Sequence, residues 1–144
     1  MSFTNFAARR VLNSFLGGAT PNSPNYGALT GPPTHLAAHI GGSPPTEAGA
    51  NFSEPVGNGY ARLALTLPSA FVTATDADPS VLANASALTF AAATGLWGTV
   101  THVGLFDASG GGNLHYIFTL SASRTIDDGE TLSFGAGDLA LTLD

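Results

Sequence analysis

Residues 88–118 read Leu-Thr-Phe-Ala-Ala-Ala-Thr-Gly-Leu-Trp-Gly-Thr-Val-Thr-His-Val-Gly-Leu-Phe-Asp-Ala-Ser-Gly-Gly-Gly-Asn-Leu-His-Tyr-Ile-Phe, and the chain closes with Gly137-Asp-Leu-Ala-Leu-Thr-Leu-Asp144. Apolar and polar residues alternate in short runs. Each run stops at a cluster of Gly, Asn or Asp. That is the pattern of successive antiparallel strands joined by tight turns. Three consecutive glycines in Asp107-Ala-Ser-Gly-Gly-Gly-Asn113 supply positive φ wherever a hairpin needs it. A phosphate-binding reading of this run would require a helix immediately after it. The strand-like run from Leu114 to Leu120 follows instead.

Working outward, the same alternation predicts strands over Thr34–Ile40, Tyr60–Leu67, Ala85–Ala92, Thr99–Asp107, Leu114–Ala122, Thr131–Phe134 and Leu139–Leu143. A short one is predicted through Phe71-Val72. About seven or eight short strands at even spacing predict a mainly β fold, an antiparallel β-sandwich or jelly-roll-like domain. Trp97, Phe90, Phe106 and Phe118 are its expected core. Residues 2–16 carry the helix signal: Ser2 as cap, apolar residues at helical spacing, and Gly17-Gly18 as terminator. Residues 19–34 are rich in Pro, Asn and Gly and predict a loop. The expected organisation is therefore an N-terminal helix and Pro/Gly-rich arm over 1–33, then a β-sandwich domain over 34–144.

Composition restricts function. Of 144 residues, 44% are apolar and only 10% charged, with a formal net charge of −6. Lysine is absent; the cations are Arg9, Arg10, Arg62 and Arg124. Nucleic-acid binding needs clustered cations to displace counterions, so it is not expected. So bland a surface suits a subunit covered by neighbours. With no cysteine, disulfides and thiolate metal sites are excluded. No apolar run reaches the ~18 residues of a membrane span. Arg9 and Arg10 interrupt the only N-terminal apolar stretch, so a secretory leader is not expected either.

Little in the sequence points to catalytic or metal chemistry. His35 and His39 on a strand would share a face about 13 Å apart, too far for one metal. His102 and His115, on successive strands, are expected to face each other as a cross-strand pair. Asp127-Asp-Gly-Glu130 lacks EF-hand spacing and reads as a hairpin tip. Glu47 and Glu54 fall in turn-rich segments, where carboxylates cap turns. No nucleophile elbow is present. The expectation is a protein without catalytic residues, cofactor or metal. A carbohydrate-binding or hydrolytic β-sandwich would need an aromatic groove and a carboxylate pair, and Tyr26, Tyr60 and Tyr116 are scattered.

Several segments resemble a known family. They are Ser43-Pro-Pro-Thr-Glu-Ala-Gly49, Glu54-Pro-Val-Gly-Asn-Gly-Tyr-Ala-Arg62, Leu88 to His102, Gly104-Leu-Phe-Asp-Ala108, Gly111-Gly-Asn-Leu114 and Asp128 to Leu143. Together with the Phe3–Gly18 segment they are similar to small tailed-phage virion proteins usually labelled "phage tail fibre protein". The resemblance implies a structural virion component, assembled in the bacterial host cytoplasm, with no catalytic residue to carry over. A fibre shaft needs length, repeats or heptads. Their absence favours a capsid decoration (cement) protein, trimeric, held to the major capsid protein or other virion subunits. Phe3, Phe6, Arg10, Phe15 and Tyr26 are the candidate partner interface. The alternative is a tail or tail-fibre component involved in host attachment.

Overall fold

The computed structural model describes residues 2–4, 33–66, 70–72 and 80–143. Ten strands form among them: β1 (Ser2–Phe3), β2 (His35–His39), β3 (Leu63–Ala64), β4 (Phe71–Val72), β5 (Ser80–Asn84), β6 (Leu88–Thr89), β7 (Gly98–Phe106), β8 (Leu114–Ile126), β9 (Ser133–Phe134) and β10 (Ala140–Leu143). They build three antiparallel sheets, ordered β1-β8-β7-β2-β3, β10-β5-β4 and β6-β9.

The large sheet grows from the β7–β8 hairpin. Alternation in β7 and β8 puts Val103, Leu105, Tyr116 and Phe118 on one face, where they meet Leu36 and Ala38 of β2. The other two sheets close on that face with Phe71, Leu88, Phe90, Phe134 and Leu139. Burying each large apolar side chain stabilises the fold by about 1.5–3 kcal/mol. A second cluster of Ala37, Phe106, Leu114 and Ile117 forms separately, with Phe52 packed against it.

Asn84 fastens the end of β5 to the turn before β10. It is buried, its Nδ2 donates to the carbonyls of Ser86 and Gly135, and its Oδ1 accepts the Leu139 N–H. Every fully buried side-chain N or O atom among the described residues has a partner. An unpaired polar group there would cost about 1–3 kcal/mol.

The chain start departs from the sequence reading. Ser2 and Phe3, expected to open a helix, pair in extended form with Ile117 and Tyr116 of β8. Thr4 explains the difference. Its N–H donates to the His115 carbonyl, its hydroxyl lies nearest the Leu114 carbonyl and also within reach of that of His115, and the residue is buried. Residues 2–4 reach these backbone partners in extended form. The rest of the predicted helix lies outside the described residues.

Several strands also differ from the sequence reading, and β6, expected over Ala85–Ala92, is confined to Leu88–Thr89. β5 (Ser80–Asn84) lies in a stretch to which the sequence pattern assigns no strand. β8 runs on to Ile126, because Arg124, Thr125 and Ile126 regain pairing with Val100, Thr99 and Gly98 after an irregularity. Of the strand predicted over Tyr60–Leu67, only Leu63–Ala64 is formed among the described residues.

Candidate functional site

The most organised polar cluster lies where the 54–62 loop meets the β7–β8 hairpin tip. Arg62 approaches Glu54 with two nitrogens, Nη2 at 2.6 Å from Oε1 and Nε at 3.0 Å from Oε2. Its Nη1 donates to the carbonyls of Ala108 (2.7 Å) and Gly111 (2.8 Å). The guanidinium lies 3.8 Å from the centroid of the Phe106 ring, a cation–π contact. One side chain therefore holds the loop, the strand end and the glycine-rich tip together. Only arginine has a planar fork with enough donors for all of these.

Glu54 is used just as fully. It also accepts the Tyr60 hydroxyl at 2.8 Å, and that hydroxyl accepts the Ala38 N–H at 3.0 Å. Burial pushes the Tyr60 phenol upward, and the adjacent carboxylate pushes it further. Tyr60 remains a neutral hydrogen-bond relay. It is not positioned as a base.

The hairpin tip has its own brace. Asp107 accepts the Asn113 N–H at 2.7 Å and its carboxamide Nδ2 at 2.9 Å, and His115 Nε2 stands 3.5 Å away. Burial alone would raise the Asp107 pKa. The bonds from Asn113, with His115, outweigh it and hold the carboxyl below its usual range. Gly112 has φ of 74°, and a Cβ there would meet Asp107 Oδ1 at 2.5 Å. This position requires glycine on both counts. Gly110 differs: a Cβ there meets nothing within 4 Å.

Of the predicted core residues, Phe90, Trp97 and Phe118 lie in the main cluster and Phe106 in the second. The Trp97 indole N–H donates to the Asn58 carbonyl at 2.8 Å, and the ring meets Tyr60 edge-on with centroids 5.1 Å apart. Of the candidate interface residues, Phe3 belongs to β1, while Phe6, Arg10, Phe15 and Tyr26 lie outside the described residues.

The expected His102–His115 pair does not form. Phe106 pairs with Leu114 and Leu105 with Tyr116, so His115 is the extra residue of a bulge. His102 is aligned with Thr119 on that side and with His39 on the other. The His39 and His102 rings meet edge-on, with centroids 5.6 Å apart. No group of three or more His, Asp or Glu side chains fit to hold a metal occurs among the described residues.

Sequence reasoning missed the Glu54–Tyr60–Arg62 cluster. The available signal was Arg62 itself, an isolated cation in a chain with four, facing a loop whose glutamate stood eight positions earlier. A groove of about 470 Å³ runs between β8 and the β9–β10 region, lined by Phe118, Arg124, Leu132, Phe134 and Asp138 among others. Asp138 is its sole carboxylate, so it offers no acid–base pair.

The arrangement is structural chemistry: bonded charges bracing exposed loops. Among known proteins, the family described as podophage GP4 fiber I protein gp80 matches residues 2–142. No curated protein matches the chain.

Proposed function

The chain belongs to the podophage GP4 fiber I protein gp80 family, and on that premise we propose that it takes part in host attachment through the loop end that carries the β7–β8 hairpin tip. It is a non-enzymatic structural component of the virion. Membership in a fibre family favours the tail-fibre alternative over the capsid-decoration reading, which has no support from it. The observation that carries the attachment reading is the Arg62–Glu54 brace. It fixes an exposed, side-chain-poor tip through Ala108 and Gly111. An ordered loop on a rigid sheet loses little conformational freedom on binding.

In this reading the N-terminal segment, with Phe3, Phe6, Arg10, Phe15 and Tyr26, joins the domain to other virion subunits. The domain acts as a homotrimer, so that weak contacts with the host add through avidity.

The test is competition for adsorption. Purified protein is mixed with host cells before phage is added, and free phage is counted. Wild-type protein slows adsorption in a dose-dependent way. Gly110→Trp, which fills open space at the tip, loses the effect with its fold intact. Failure of wild-type protein to compete would overturn the reading. So would a virion copy number in step with the major capsid protein.

A further inference from the structure

Residues 41–53 lie across the outer face of the large sheet, and a histidine ties them down. His39, on β2, is fully enclosed. Its two ring nitrogens are both engaged with this segment. The Ser53 N–H donates to Nδ1 at 2.9 Å, and Nε2 stands 3.1 Å from the Ser43 carbonyl. Nδ1 thus accepts and Nε2 donates, which is possible only for a neutral imidazole. The Ile40 N–H donates to the Ser53 carbonyl at 2.9 Å, completing the tie.

The segment closes over an apolar hollow. Gly104 leaves space in the sheet: a Cβ there would stand 2.7 Å from the Phe52 ring and 2.6 Å from Leu114 Cδ1. Phe52 fills it, with its centroid 5.1 Å from Phe106 and 5.2 Å from His39. At the segment's start, Gly41 passes so near the imidazole that a Cβ would come within 2.5 Å of Cε1.

We propose that residues 41–53 form a strap latched by neutral His39 and released when that imidazole takes up a proton, uncovering the hollow that Phe52 fills. A protonated ring has two donors and no acceptor, so Nδ1–H would confront the Ser53 N–H. The backbone bonds to Ser43 and Gly41 favour the new charge, but burial outweighs them. The titratable group facing it from β7 is His102, itself basic, and from the strap come Gly41, Ser43, Phe52 and Ser53. Glu54, next in the chain, spends its carboxylate on Arg62 and Tyr60.

Burial, against the opposing bonds from Ser43 and Gly41, holds the imidazole below the ordinary value of 6.5. The sign follows. Above that value both latched and released forms are neutral and the latch has full strength. Below it the released form binds the proton first, so the opening equilibrium rises about tenfold per pH unit until the latched form titrates too.

Amide hydrogen exchange from pH 7.5 to 5, corrected for intrinsic rates, reads this directly. Ser53 and the 41–53 peptide lose protection on acidification, while the amides of β7 and β8 keep theirs. His39→Gln retains one donor and one acceptor but does not titrate, so its opening is independent of pH. His102→Gln keeps the wild-type pH profile and serves as control. If His39→Gln fails to fold, the wild-type profile and the His102→Gln control decide. Protection of Ser53 that is flat with pH in the wild type would overturn the proposal. An unchanged pH profile in His39→Gln, or simultaneous opening of β7 and β8, would do the same.

Discussion

At the scale of single residues, Gly104 shows how an absent side chain shapes this protein. Its place in β7 would suit valine by propensity. Glycine stands there because Phe52 and Leu114 occupy the volume of a Cβ, at 2.7 and 2.6 Å. Gly104→Ala is therefore expected to lose about 1–3 kcal/mol through overpacking, measured by urea unfolding. Its loss should exceed that of Gly110→Ala, where the added methyl meets nothing. Histidines were the hardest residues to read from sequence. The alternation of β2 places His39 opposite the Leu36 face, but whether that face is covered depends on where the 41–53 segment returns. No local pattern encodes that return.

At the scale of elements, the β7–β8 hairpin is held from outside by Arg62. Arg62→Met keeps the apolar stem but leaves Glu54 facing Tyr60 without its cation, and frees the carbonyls of Ala108 and Gly111. Removing one partner of a largely buried ion pair costs about 3–5 kcal/mol. Because Glu54 retains 25% side-chain exposure, the lower end is expected. Chemical denaturation gives the loss, and faster exchange of the 107–113 amides locates it.

The hairpin was legible because alternation, β-branched residues and a Gly-Gly-Gly turn all agree. The His115 bulge was not. One extra residue shifts every later partner, and nothing in Leu114-His-Tyr-Ile-Phe marks where the extra residue sits. β5 was hidden for a different reason: Ser80-Val-Leu-Ala-Asn84 is short, and its strand state depends on β10 and β4 on either side. Ser2 and Phe3 carry a valid helix start signal. Tertiary pairing with β8 overrides it.

At the scale of the whole molecule, stability should fall in two stages on acidification. Burial lowers the His39 and His102 pKa values below 6.5, and the proximity of the two rings adds to the effect at His102. Both groups favour the folded state when neutral, so their contribution is complete above that pH and declines beneath it. Asp107 titrates later. Its depressed carboxyl stabilises the fold above 3.8 and is lost as pH drops further. Thermal unfolding measured from pH 8 to 3 should show both declines, and His39→Gln should reduce the first, leaving the part due to His102.

The broad class was legible because few charges, frequent glycines and short alternating runs leave only an antiparallel β architecture. How the strands divide among three sheets was not, since that division rests on long-range pairs such as β6 with β9 and β1 with β8. The polar brace escaped for the same reason, since Arg62 and Gly111 meet only after the sheet has formed.

Asn58 joins two loops beside the core. Its backbone carbonyl accepts the Trp97 indole and the Thr94 N–H, its side-chain Nδ2 donates to the Leu96 carbonyl at 2.7 Å, and its φ is 51°. The residue that follows is Gly59, and Asn-Gly is the dipeptide in which the next amide nitrogen most readily attacks the side-chain carbonyl, expelling ammonia. Here the carboxamide is tethered away from free rotation, so the native fold slows that ageing reaction. Once water opens the cyclic imide so formed, the new carboxylate can only accept hydrogen bonds and faces the Leu96 carbonyl without a donor. Chemical age and folding are thereby linked at one turn: a particle that keeps this loop closed keeps its asparagine.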